Sequence, residues 1–186
     1  GSYGTGKSSF LLALQKTLRK EKKYFNIDDI GYSKVEFINI VGESKSAKDA
    51  FADYFELSPK KHLAGEILNE IYFRYHKLGN KNSLLIVSID EFGKFLEYAA
   101  INKPEEELYF VQQLAEFANN TDYNILLLTT IHQNFDAYAV ELKNSQKQEW
   151  TKVKGRFREV TFNEPIEQLL FLASEKLLDQ DKPSIT

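Results

Sequence analysis

Residues 1–8 read Gly-Ser-Tyr-Gly-Thr-Gly-Lys-Ser, so that Gly1 and Gly6 bracket four residues and a lysine and a hydroxyl come next. Glycines at Gly1, Gly4 and Gly6 let successive backbone N–H groups turn inward, and inward-facing N–H groups cradle a phosphate. Lys7 is expected to reach the β- and γ-phosphates of a nucleoside triphosphate, and the Ser8 hydroxyl to sit on its Mg²⁺. Gly1, Gly4, Thr5, Gly6, Lys7, Ser8 and Ser9 are the expected nucleotide-binding residues. A Gly/Ser-rich tail that matches by chance has no reason to lead into a helix. Leu11, Leu14 and Leu18 recur at helical spacing within residues 9–20, so a helix leaves the loop and brings the partial positive charge of its N-terminus to the phosphate. A buried strand delivers the chain to the other end of such a loop. Here the loop starts at the first residue, which is not methionine, and the chain reads as part of a longer protein with that strand upstream of Gly1.

Residues 84–89, Leu-Leu-Ile-Val-Ser-Ile, are an apolar run of strand length ending in Asp90 and Glu91. In parallel α/β sheets the C-terminal strand ends form the ligand crevice. A carboxylate there can hold the Mg²⁺ shell, the role expected of Asp90. The next can act as general base toward the water that attacks the γ-phosphate, the role expected of Glu91. Alone, an Asp-Glu pair after a strand is a common surface turn; the phosphate loop in the same chain favours metal and base. A third segment, residues 125–133, runs from an apolar strand into Thr129, Thr130, His132 and Gln133. His132 is the first choice for a group that senses the γ-phosphate or orients the water, and Thr130 the second. The bland reading is a strand threonine and a solvated loop histidine. Arg156 and Arg158, two of only four arginines against twenty lysines, flank one Phe ahead of an expected strand at residues 158–162. An arginine fork suits developing phosphoryl charge, which makes Arg156 a candidate; the plainer role is a surface pair with a nearby Glu.

The elements that must position these groups alternate between helices and short buried strands. Residues 35–41 read as a strand ended by Gly42, and Ala47, Ala50, Phe51, Tyr54 and Phe55 as a helix broken at Pro59. Leu63, Ile67, Ile71, Tyr75 and Leu78 continue as a longer helix that Gly79 would cap. Pro104 and the three glutamates behind it start a helix with the charge its dipole favours, carrying Leu108, Val111, Leu114 and Ala118 to Asn119-Asn120. Trp150 anchors a further helix within residues 146–154. Nearly continuous apolar strands separated by helices indicate a parallel sheet covered on both faces.

The chain has 186 residues, enough for one α/β domain with a sizeable core and not for two. It contains no cysteine, which excludes disulfides, zinc-thiolate sites and cysteine nucleophiles. A net charge of −3 gives no reason to expect nucleic acid, and no apolar run has membrane-spanning length. The lysines at 16–23 and 60–61 read as solvated helix ends, and His62 and His76 have no partner at metal-ligand spacing.

The order of phosphate loop, Asp-Glu strand, polar strand end, Arg-Phe and a Pro165-led segment resembles an AAA+ P-loop ATPase of the additional-strand, catalytic-glutamate type. The nearer likeness is to origin-recognition-type initiators and to prokaryotic ATPases of mobile-element and antiviral-defence loci, and it spans nearly the whole chain. The resemblance implies an α/β three-layer αβα sandwich with a parallel sheet of order 5-1-4-3-2, its first strand missing upstream of Gly1. Residues 1–164 would form a truncated nucleotide-binding core and residues 165–186 the start of a helical lid or a connecting helix. Gly6, Lys7 and Ser8 would take the Walker A roles, Asp90 and Glu91 the Walker B roles, and His132 or Thr130 the first sensor. Arg156 would be the finger given in trans to a neighbouring subunit of a homo-oligomer. The implied function is Mg²⁺-dependent ATP binding and hydrolysis by an oligomeric, cytoplasmic ATPase domain that works with other domains of the same protein. The alternative is a nucleotide-controlled switch or scaffold with little turnover; DNA as a partner draws no support from the charge, and no membrane is implied.

Overall fold

The computed structural model describes residues 6–27, 30–58, 63–79, 82–140 and 142–160. Three strands, β1 (Lys34–Val41), β2 (Ser83–Asp90) and β3 (Ile125–Thr129), form a parallel sheet in the order β1-β2-β3. Among the described residues six helices flank it: α1 (Lys7–Leu18), α2 (Ala47–Phe55), α3 (Leu63–Lys77), α4 (Gly93–Ile101), α5 (Pro104–Ala118) and α6 (Asn144–Lys154), with a 3-10 turn at Phe135–Ala139. The domain is therefore α/β with a parallel sheet, as the apolar strand runs imply.

β2 is buried from Ser83 to Ile89 because it is the central strand, with a neighbour on each edge. Leu85, Val87 and Ile89 point into the main core with Ile38, Ile40, Phe51, Ile67, Phe95, Leu108 and Leu114. Leu84 and Ile86 point the other way, onto Val35, Phe37, Leu18 and Leu128. This second face is covered only in part: Val41 and Leu126 remain 59% and 46% exposed, and no residue of α1 is fully buried. Removing the five large aliphatics of β2 from water contributes about 1.5–3 kcal/mol each before entropic costs.

Most expected helices are present, and their ends follow local chemistry. Gly79 stands at φ 70 behind α3, and its N–H donates to the His76 carbonyl at 3.0 Å. Pro104 opens α5 with Glu105, Glu106 and Glu107 in the first turn. Glu107 is buried, and its two carboxylate oxygens accept the Ser46 hydroxyl at 2.9 Å each, with Lys48 Nζ at 3.6 Å. That cluster ties the start of α2 to the start of α5.

The strand expected at 158–162 is not formed in its described part: residues 158–160 pair with no strand. Its approach is pinned elsewhere. The Phe157 ring packs on Phe92 and Phe135, with centroids 5.7 Å away in both cases, and Asn119 Nδ2 donates to the Arg156 carbonyl at 3.2 Å. The segment then runs beside β3 and lines a groove of about 570 Å³ between that strand's outer edge and α1. The expected break at Pro59, residues 161–162 and the Pro165-led lid segment lie outside the described residues.

Candidate functional site

Gly6 stands at φ 77, a left-handed conformation that favours glycine, and α1 starts at the next residue. The Phe10 N–H donates to the Gly6 carbonyl at 2.8 Å to close the first helical turn. No side chain caps this helix, so its dipole and first-turn amides suit an anion. Lys7 is half-buried, and Ser8 and Ser9 are exposed. Gly1, Gly4 and Thr5 lie outside the described residues.

Strand parity decides where Asp90 points. Residues 84, 86, 88 and 90 of β2 share a face, and Leu84 and Ile86 show it to be the α1 side of the sheet. The same parity in β3 carries residues 126, 128 and 130 to that side, and the register Ile89↔Thr129 makes Asp90 and Thr130 cross-strand neighbours. The Thr130 hydroxyl donates to Asp90 Oδ1 at 2.5 Å and accepts the Glu91 N–H at 2.9 Å. Asp90 Oδ1 also accepts that N–H at 3.0 Å. Glu91 stands at φ 54, left-handed for a residue with a β-carbon, which costs about 1–3 kcal/mol and is the kind of strain that collects at functional turns. Its carboxylate forms an ion pair with Lys94, the second residue of α4.

Gly42, which from sequence only ends a strand, proves to be a site residue. Its N–H donates to the Asp90 carbonyl at 2.7 Å, and a β-carbon there would stand 2.0 Å from the Glu91 carbonyl oxygen. Only a glycine lets β1 pass this close beneath the Asp-Glu turn. Gly93, Lys94 and Tyr138 are the other residues that sequence reasoning did not reach. Gly93 had a signal, a glycine two positions after the expected base.

His132 lies in the loop after β3. Burial first, and then the Lys7 ammonium, hold its imidazole below the usual histidine range, while Glu91 and Asp90 pull the other way. Lys7, Asp90, Glu91 and His132 therefore share one electrostatic environment, although they come from three distant segments. That balance favours the neutral imidazole, which can donate through one nitrogen and accept through the other. Thr130 and His132 both reach the site, Thr130 through direct bonds to the Asp-Glu turn.

Arg156 does not join them. Its Nε donates to Glu116 at 2.9 Å, and its two terminal nitrogens donate to Glu116 and to the Lys152 carbonyl. The Arg156 bond, more than that from Gln112, holds the Glu116 carboxyl below its usual range. Arg158, two residues on, is exposed and makes no ion pair or hydrogen bond among the described residues.

No cluster of three or more His, Asp or Glu side chains placed to hold a metal occurs among the described residues. Mg²⁺ beside a nucleotide needs no such cage, since it takes one or two protein oxygens and completes its shell with phosphate and water. The donor set fits that pattern: Asp90 commits Oδ1 to Thr130 and Glu91 and leaves Oδ2 without a hydrogen bond from the described residues. No protein-family model matches this chain, and no curated protein matches it at a significant level. No helix among the described residues is long and apolar enough to cross a membrane.

Proposed function

We propose that this chain is the nucleotide-binding core of a Mg²⁺-dependent ATPase of the AAA+ kind, acting as an oligomer within a larger cytoplasmic protein. The observation that carries the proposal is convergence. An uncapped helix start with Lys7, a carboxylate pair at the C-terminal end of the central strand, and the polar end of the next strand meet on one side of a parallel sheet. In this reading Lys7 and the first-turn amides of α1 bind the phosphates and balance their charge. Ser8 and Asp90 would hold Mg²⁺, which when bound neutralises phosphate charge during transfer. Glu91 takes the proton of the attacking water on its carboxylate. Thr130 holds Asp90 and the Glu91 backbone in register, and His132 faces the γ-phosphate as the sensing group.

The finer sheet order belongs to the same proposal. The three strands correspond to positions 2, 3 and 4 of 5-1-4-3-2, and the groove at the outer edge of β3, lined by Phe10, Leu11 and Phe157, is the seat of the strand that leads into the phosphate loop. Filling it would also cover the exposed Leu126.

A second reading, a switch that holds ATP and assembles with little turnover, is favoured by one contact: the ion pair of Glu91 with Lys94 occupies the base. The trans-acting role for Arg156 requires its bonds to Glu116 and Lys152 to open. The deciding experiment is phosphate release with Mg²⁺ and ATP across a protein concentration series, beside Lys7→Ala, Glu91→Gln and Arg156→Ala. Lys7→Ala is expected to lose tight binding, and Glu91→Gln to bind ATP normally with turnover about 100-fold lower or less. A Glu91→Gln protein that turns over at the parent rate removes the base assignment. Specific activity that rises with concentration and is lost in Arg156→Ala supports the trans finger; indifference to both favours the switch.

A further inference from the structure

Directly behind Glu91, residues Phe92 and Gly93 are gripped by the segment that follows β3. Tyr138, in the 3-10 turn, is 5% exposed and abuts the Gly93 backbone so closely that a β-carbon there would stand 2.2 Å from its hydroxyl oxygen and 2.7 Å from Cζ. The same oxygen accepts the His132 N–H at 3.2 Å. One buried oxygen thus touches both the first residue of α4 and the backbone of the loop that carries His132. Packing alone would be served by phenylalanine; the hydroxyl adds a directed bond to a segment that forms no regular ladder at this point.

The geometry makes a two-point brace. Thr130 bonds the Asp90-Glu91 turn on one side, and Tyr138 ties His132 to Gly93 on the other. Residues 130–132 are fixed at both ends against residues 90–93, which sets the His132 backbone relative to Glu91. We propose that Tyr138 is a positioning residue for hydrolysis, setting the His132 loop against the turn that carries the base. This rests on the ATPase reading given above. Tyr138 acts through His132 and Gly93.

The test is Tyr138→Phe, which removes only the hydroxyl, with Gly93→Ala, whose β-carbon displaces the ring, and Glu91→Gln as the reference for lost chemistry. In Tyr138→Phe, ATP binding and KM are expected to stay within about twofold of the parent while kcat falls about tenfold, the rate equivalent of one neutral hydrogen bond. Amide exchange in residues 131–133 is expected to quicken at the same time. Gly93→Ala is expected to show the same split between kcat and KM. Parent-like kcat in Tyr138→Phe overturns the proposal whatever Gly93→Ala shows, and so does a loss of binding in step with kcat, which marks a packing role. Parent turnover no greater than that of Glu91→Gln removes the ATPase reading, and the positioning role with it. Active parent protein with unaffected Tyr138→Phe removes the positioning role alone.

Discussion

Gly42→Ala puts the junction beneath the Asp-Glu turn to a direct test. The added β-carbon would stand 2.0 Å from the Glu91 carbonyl oxygen, 2.7 Å from its carbonyl carbon and 3.2 Å from the Asp90 carbonyl oxygen. Carbon and carbonyl oxygen approach no nearer than about 3.3 Å even in favourable contacts, so β1 and the end of β2 must part by about 1.3 Å. All three obstructing atoms are backbone, and no rotamer change relieves the clash. The displacement also stretches the Gly42 N–H bond to the Asp90 carbonyl, now 2.7 Å, out of hydrogen-bonding range. Overpacking of this kind costs about 1–3 kcal/mol and the lost bond about 1 kcal/mol more. For a domain of this size about 2–4 °C accompanies each kcal/mol, so the melting temperature is expected to fall by about 5–15 °C. The same shift moves the Glu91 backbone by roughly an ångström, and misplacement on that scale costs about 100-fold in rate. Thermal unfolding, ATP binding and phosphate release on one preparation separate the two effects. A melting temperature within about 1 °C of the parent would refute the close approach itself. A large fall in stability with parent turnover would instead refute the claim that this junction sets the base.

Thr130→Val keeps the branched shape and removes the hydroxyl that joins Asp90 to the Glu91 N–H. The expected cost is about 1–2 kcal/mol, at the lower end for a charge-assisted bond because both side chains are half-buried, with a higher Mg²⁺ requirement for ATP binding. Calorimetric titration at several Mg²⁺ concentrations checks this, and Thr130→Ser should restore it. The folded-state pKa of His132 is depressed, so the unfolded chain takes up a proton first as pH falls. The stabilising preference for neutral imidazole is present above about pH 6.5 and is lost as pH drops from there toward the depressed value. The melting temperature of the parent should fall over that window more steeply than that of His132→Asn; equal slopes would refute the assignment.

Much of the fold is legible in the chain because its signals are local. Apolar runs at 35–41, 84–89 and 125–129, helical spacing at 9–20, 63–78 and 108–118, and Pro104 with three glutamates act within a turn or two of sequence, and each element forms where those patterns lie. The nucleotide chemistry proposed for the glycine-lysine-serine loop and the Asp-Glu strand end likewise rests on residue type and spacing. Residues 158–160 did not follow the local signal, because a strand is stabilised by a neighbour and their approach is pinned by Phe157 and Arg156. What only tertiary structure decided are relations between distant segments. Register made Asp90 and Thr130 partners, a close crossing made Gly42 a site residue, and the return of the 3-10 turn onto α4 gave Gly93 and Tyr138 their contact. It also set Arg156 against Glu116. Residue type along a chain records what a side chain can do; which atoms it meets depends on how strands stack and loops return, and that is settled only when the sheet is assembled.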